Sequence, residues 1–289
     1  MSNLFPSIDP ADDAKRRPRA IGRVPIRAII PNMVTLLALC AGLTAVRMTI
    51  EERYELAIYA VLAAAVLDGL DGRIARFLKS TSRFGAELDS LSDFVSFGVA
   101  PAILLYGWIL HEAKSFGWVA ALVFASAGAL RLARFNVAST EEKPAWQSNF
   151  FTGVPAPAGA LLSLLPLYIS FSGLTVPVET APLVLIYTVL VALLMVSRIP
   201  TFSGKKLGRI RRDLVFPLFV GLGLAVGLLI RFPFETLALV AVAYIVAIPF
   251  GWRAWNRLAR EHGESEREIG FETAIEPEET GEDESEEKP

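Results

Sequence analysis

The stretch LDGLDGRIARFLKSTSRFGAELDSLSDF, Leu67 to Phe94, places four aspartates between two of the most apolar runs of a 289-residue chain. Read as helices, Asp68 and Asp71 stand three residues apart and Asp89 and Asp93 four apart, so each pair occupies one helix face. KSTSRFG, Lys79 to Gly85, has the polar and glycine content of a short turn. The spacing predicts two antiparallel neighbouring helices that bring both pairs to one depth. Charge of that density is costly beside apolar residues, and the flanking sequence decides which solvent surrounds it.

The chain is 53% hydrophobic, with a mean hydropathy of +0.46. Its apolar runs fall at about 28–49, 55–78, 87–110, 117–138, 154–173, 181–198, 214–231 and 235–252, each near the roughly 20 residues of helix that cross a bilayer. A helix satisfies its own backbone hydrogen bonds, as a segment in lipid must. The expected fold is an all-α integral membrane protein, a bundle of about eight transmembrane helices with a cytoplasm-facing polar site. With the N-terminus inside, only Arg47, Arg53, Lys114 and Arg231 of the 28 Lys and Arg fall in outer loops. The positive-inside rule then predicts a multi-pass protein of the cell (inner) membrane with both termini cytoplasmic. The first apolar run is as long as a span, and no small-residue cleavage site follows it, so it reads as a span and not a cleaved signal.

Three regions follow: a basic cytoplasmic arm over 1–27, a transmembrane domain over 28–252, and an acidic, disordered cytoplasmic tail over 253–289. From Glu261 onward there are 13 acidic and two basic residues against an overall charge of −2, so the body carries about +9. Its inner face suits anionic headgroups of the lipid bilayer or phosphorylated substrates. Topology already explains that charge, so no nucleic acid is expected as a partner. Cys40 is the single cysteine, which excludes an internal disulfide and a cysteine zinc site. His111, at an outer loop, and His262, in the tail, read as solvent-facing.

Carboxylates within a membrane segment cost roughly 3 kcal/mol or more each unless paired or hydrated, and four together repel one another. Hard divalent cations such as Mg²⁺ or Mn²⁺ prefer oxygen ligands of this kind, and two ions would neutralise four charges. Gly69, Gly72, Ala75, Gly85, Ala86 and Ser90 let helices approach closely. Arg76 and Arg83 border the carboxylates, as phosphate binding would ask. The plain structural alternative is an acidic helix end paired with its own arginines; four aspartates with glycines between them argue against it. No Ser-His-Asp arrangement, P-loop or dinucleotide motif competes.

Asp68-x2-Asp71-Gly72-x2-Ala75-Arg76-x8-Gly85-x3-Asp89-x3-Asp93 resembles the signature of the CDP-alcohol phosphatidyltransferase family at all eight fixed positions. Members of that family are integral membrane enzymes that transfer a phosphatidyl group from CDP-diacylglycerol, or a related donor, to an alcohol and release CMP. The resemblance implies two divalent ions on Asp68, Asp71, Asp89 and Asp93, with Asp93 also the general base. It implies a nucleotide cradle of Gly72, Ala75, Arg76 and Gly85, with Ser82 of the turn bonding the donor. The chemistry agrees: an alcohol attacking a pyrophosphate needs its negative charge shielded and a carboxylate to take its proton.

In IPNMVT, Pro31 suits a first helical turn, and Asn32 and Thr35 share a face. Alone they read as an ordinary helix start; family members carry Pro-Asn-x-x-Thr beside the nucleotide, which implies CDP contacts for both. LRLARFNVAS (Leu130–Ser139) followed by FFTGVPAPAGA (Phe150–Ala160) is similar to the bacterial and archaeal phosphatidylserine synthase branch. That branch implies L-serine as acceptor, its carboxylate held by Arg131 or Arg134 with Asn136 assisting. Spacing leaves open which arginine faces the pocket, and interfacial anchoring is the alternative for each. GVPAP reads either as a helix break shaping the pocket or as a proline-led start of the fifth span. The basic loop GKKLGRIRRD (Gly204–Asp213) follows from topology. Family members commonly pair through membrane helices, which makes a homodimer the expected assembly. Competing readings keep the reaction with glycerol 3-phosphate, inositol phosphate or choline as acceptor, or make the chain a cation transporter with carboxylates mid-membrane on broken helices.

Overall fold

The computed structural model describes residues 26–80, 82–138, 150–174, 176–202 and 215–275. The basic arm before residue 26, the GKKLGRIRRD loop and the acidic segment past residue 275 lie outside the described residues. The helices are α1 (Ile26–Ile50), α2 (Tyr54–Phe77), α3 (Arg83–Asp93), α4 (Ala100–Trp108), α5 (Lys114–Ala138), α6 (Ala156–Ser163), α7 (Leu165–Phe171), α8 (Ala181–Val196), α9 (Val215–Arg231) and α10 (Pro233–Ile275). Five stretches, Ile29–Ile50, Arg83–Trp108, Leu110–Ala138, Val178–Val196 and Pro233–Leu258, are long and apolar enough to cross a membrane. The chain is an all-α, multi-pass membrane protein.

The remaining three apolar runs are also helical, but differ from plain spans. α2 is long enough, yet its last turns carry Asp68, Asp71, Arg73 and Arg76. The run over 154–173 is split into α6 and α7 at Leu164. Pro166 supplies no N–H for the Leu162 carbonyl four residues back, and the Tyr187 hydroxyl on α8 donates to that carbonyl instead, at 2.7 Å. α9 is a shorter helix of 17 residues. Its Phe216, Phe219 and Leu224 are exposed, as befits a face that meets lipid tails as apolar as leucine itself.

Two expectations are corrected at helix ends. Pro31 is not in a first turn, because α1 already begins at Ile26. The segment from residue 253 is not disordered throughout: α10 runs on to Ile275. Residues 253–275 are rich in Glu, Arg and Ala, strong helix formers. Extending an existing helix avoids the cost of a new nucleus, so the rod continues beyond the apolar stretch.

α3 and α4 form one rod joined by a π-helical turn, Phe94–Val99, that starts immediately after Asp93. The turn packs on α1, where the Ser92 hydroxyl donates to the Thr35 carbonyl and the Ser96 hydroxyl to the Ala38 carbonyl, both at 3.2 Å. Gly42 permits this approach: a methyl there would lie 2.4 Å from Ser96 Oγ and 2.8 Å from Ser96 Cα. Around the same turn, Phe97, Leu104, Leu105, Phe124 and Tyr168 are sealed in the core.

A small ribbon interrupts the helices. β1 (Phe150–Thr152) pairs antiparallel with β2 (Pro200–Phe202), Phe151 opposite Thr201. Gly153 ends β1 at φ +76°, a conformation that favours glycine, and its N–H donates to the Ile199 carbonyl at 2.9 Å. The GVPAP segment ends this strand and then starts α6 with Pro157 in its first turn, as the proline-led reading expects.

Candidate active site

Asp71, on α2, is buried and accepts a 2.7 Å hydrogen bond from the Thr35 hydroxyl of α1. That hydroxyl also lies 3.1 Å from the Pro31 carbonyl. One carboxylate oxygen each from Asp68, Asp71 and Asp89 falls within 4.8 Å of the other two. Asp93, one turn beyond Asp89, comes within hydrogen-bonding reach of Asp68. The two pairs converge from α2 and α3, as their spacing predicts.

Arginines do not neutralise this cluster. The ion pairs Arg47–Glu51, Arg53–Glu51 and His111–Glu112 lie away from the aspartates, and none forms between an arginine or lysine and these aspartates among the described residues. Arg76 is exposed and turns its Nε back onto the Gly72 carbonyl at 3.0 Å. The acidic helix end paired with its own arginines is therefore not what forms here. Hard oxygen donors at mutual reach, with no protein cation among them, are a donor set for a divalent metal ion.

Beside the carboxylates opens a cleft of about 160 Å³. Of the residues expected to hold the donor, Asn32, Thr35, Gly72, Ala75, Ser82 and Gly85 line it. Arg76 is the exception. Ser82 caps α3, its hydroxyl accepting from the Gly85 N–H at 3.0 Å. A Cβ on Gly85 would sit 3.0 Å from Asn32 Oδ1 and 3.1 Å from Ser82 Oγ, whereas one on Gly72 would meet no protein atom and project into space a ligand can use. Ala86, one of the small residues of the signature stretch, also lines the cleft, as does Ser80, which escaped sequence reasoning. The Ser80 hydroxyl is buried without a hydrogen-bond partner among the described residues; the polar KSTS turn was its only signal.

The three residues expected at the acceptor separate. Arg131 is buried, and its Nε donates to the Val154 carbonyl. It lies within electrostatic range of Asp93. Arg134 is exposed and donates through Nη1 to the Val196 carbonyl at 2.6 Å. Both arginines thus fasten backbone carbonyls at the base of the β ribbon, groups that must be satisfied at membrane depth. Asn136 donates to Ser90 Oγ at 2.9 Å, tying α5 to α3. α2 is unbroken through Asp68 and Asp71, unlike the interrupted helices of a transporter site.

Comparison with known proteins agrees with this geometry. The family model described as CDP-alcohol phosphatidyltransferase matches residues 28–196, and a second model, CDP-alcohol phosphatidyltransferase 2, matches residues 213–249. A protein of Mycobacterium leprae named CDP-diacylglycerol–serine O-phosphatidyltransferase is 48% identical over 158 residues, which span 54% of this chain and 52% of that protein. The protein of the same name from Mycobacterium bovis is 38% identical over 238 residues, 80% of this chain and 81% of its own length. One from the archaeon Methanocaldococcus jannaschii is 37% identical over 178 residues, 61% of this chain and 76% of its own. Matched over more than half its length by the family model, this chain belongs to the CDP-alcohol phosphatidyltransferase family of membrane enzymes.

Proposed function

We propose that the protein transfers the phosphatidyl group of CDP-diacylglycerol to the hydroxyl of L-serine, giving phosphatidylserine and CMP. The observation that carries the reading is the gathering of Asp68, Asp71 and Asp89 within 4.8 Å at the edge of a cleft lined by Asn32, Thr35 and Gly72. The names of relatives up to 48% identical support serine as the acceptor.

In this reading Asp68, Asp71, Asp89 and Asp93 hold two divalent ions, Mg²⁺ or Mn²⁺. Such ions, when bound, offset the pyrophosphate charge and favour departure of CMP. Thr35 fixes the Asp71 carboxylate through its hydrogen bond. Asn32, Gly72, Ala75, Ser82 and Gly85 seat the nucleotide, while the acyl chains stay in lipid. Asp93 accepts the proton of the serine hydroxyl as that oxygen bonds to phosphorus and the bond to CMP breaks. Arg131, a buried cation within electrostatic range of Asp93, holds the serine carboxylate. Arg134 is spent on the Val196 carbonyl. The Lys and Arg distribution supports a site facing the cytoplasm, with both termini on that side of the cell membrane.

The test is CMP release by purified protein given CDP-diacylglycerol, Mg²⁺ or Mn²⁺, and one alcohol at a time. L-serine is expected to drive release. Release with glycerol 3-phosphate, inositol phosphate or choline and none with serine would contradict the acceptor assignment.

A further inference from the structure

α2 ends in a cap that sets a serine in the wall of the cleft. Lys79 takes the left-handed conformation, φ +49°, at the position where helix ends favour glycine. Its N–H donates to the Arg76 carbonyl at 3.2 Å, and the N–H of Ser80 reaches back to the Ala75 carbonyl at 3.0 Å. These are the two bonds of a Schellman cap, in which the residue at the Ser80 position is commonly apolar and packs back on the helix. Here Ser80 and Ala75 both line the cleft, and a polar side chain stands where an apolar one would complete the cap.

The backbone N–H of Ser80 is committed to the cap, while its side chain is spare. The hydroxyl oxygen is shielded from solvent and has no hydrogen-bond partner among the described residues. Other hydroxyls of the same wall are engaged: Thr35 donates to Asp71 at 2.7 Å, and Ser82 accepts from the Gly85 N–H at 3.0 Å. A shielded hydroxyl left unpaired is unfavourable, and alanine would fill the place without that cost. Ser80 gains its partner when a polar group occupies the cleft.

Its place along the wall decides which group that is. On α2, Ala75 follows Asp71 by four residues of unbroken helix, about 6 Å of rise, and Ser80 is fastened at the level of Ala75. On α3, Asp89 is likewise four residues beyond Gly85. Ser80, Ser82 and Gly85 thus gather at one end of the cleft, and Asp71 and Asp89 at the other. With the phosphates of the donor at the carboxylates, the part that extends towards Ser80 is the nucleoside. A serine hydroxyl both donates and accepts, which suits ribose hydroxyls and the polar edge of cytosine.

We propose that the Ser80 hydroxyl is a further donor-binding contact, hydrogen-bonded to the nucleoside of the CDP-linked lipid. Ser80 falls in the x8 gap of the signature, where no residue type is fixed, so the contact is this chain's own addition to the cradle. The inference rests on the reading of the cleft as the donor site given above.

The test titrates CMP and, separately, cytidine into purified wild type and Ser80→Ala with Mg²⁺ present, following the midpoint of thermal unfolding in detergent as each ligand stabilises the fold. Loss of one hydrogen bond between neutral groups predicts roughly 3- to 10-fold weaker binding of both ligands. The KM for CDP-diacylglycerol is expected to rise by a similar factor, with the KM for serine unmoved. Without ligand the two midpoints are expected to coincide, because the hydroxyl holds nothing within the described protein. Equal affinities of the two proteins for both ligands would overturn the inference alone. Weaker CMP binding with cytidine binding untouched would put Ser80 at the phosphates and overturn it too. CMP without effect on the wild type would overturn the donor reading of the cleft and this contact with it.

Discussion

Asp93 differs from the other three aspartates in its neighbours. It closes α3, the π-helical turn starts at the next residue, and its carboxyl reaches Asp68 on one side and the field of Arg131 on the other. A base at that point sits between the charge cluster and the proposed serine subsite. Asp93→Asn keeps the shape and removes the basic oxygen. CMP release is expected to fall by roughly 10²- to 10⁴-fold, with an unchanged elution profile in detergent. Turnover near that of wild type would remove Asp93 from the role of base. The aspartates were legible in the sequence because a helix turns every 3.6 residues, so gaps of three and four put each pair on one face. The choice between Arg131 and Arg134 was not legible. They too are three apart, and only the rotation of α5 against its neighbours buries one and leaves the other exposed.

At the scale of elements, the site depends on how closely α1 lies against the π-helical turn. Gly42 and Ser96 set that distance, and Thr35 and Asn32 reach Asp71 and Gly85 only because α1 is held there. Gly42→Ala pushes a methyl against the backbone of Ser96 and not merely against a side chain that can rotate away. Overpacking of this kind costs roughly 1–3 kcal/mol. The midpoint of thermal unfolding in detergent is expected to fall by several degrees, and CMP release with it. An unchanged midpoint would show that α1 has slack at this contact. Other elements were hidden from sequence reasoning for separable reasons. Strands of three residues are too short for an alternating pattern to register, and Phe150–Thr152 reads as the lead-in to a proline-rich helix start. The end of α10 was masked by its acidic composition, which reads as disorder although its residues favour helix.

For the whole molecule, the sequence announced the solvent before the fold. Eight apolar runs and the one-sided distribution of Lys and Arg are statements about a bilayer, and helices follow from the need to satisfy the backbone there. How the runs pack was not written in their hydropathy. The split of the fifth at Leu164, repaired by Tyr187, comes from tertiary contacts. The central claim is that four acidic side chains at the inner end of the bundle gather divalent ions around which phosphatidyl transfer takes place. Its most direct measurement is serine-dependent CMP release after exhaustive chelation, followed by graded return of Mg²⁺ or Mn²⁺, with Mn²⁺ uptake counted in parallel on wild type and Asp89→Asn. Activity is expected to vanish on chelation and return with either ion, wild type to take up two Mn²⁺ per chain, and the variant to bind fewer. Full activity in metal-free protein, or Mn²⁺ uptake indifferent to Asp89, would contradict it.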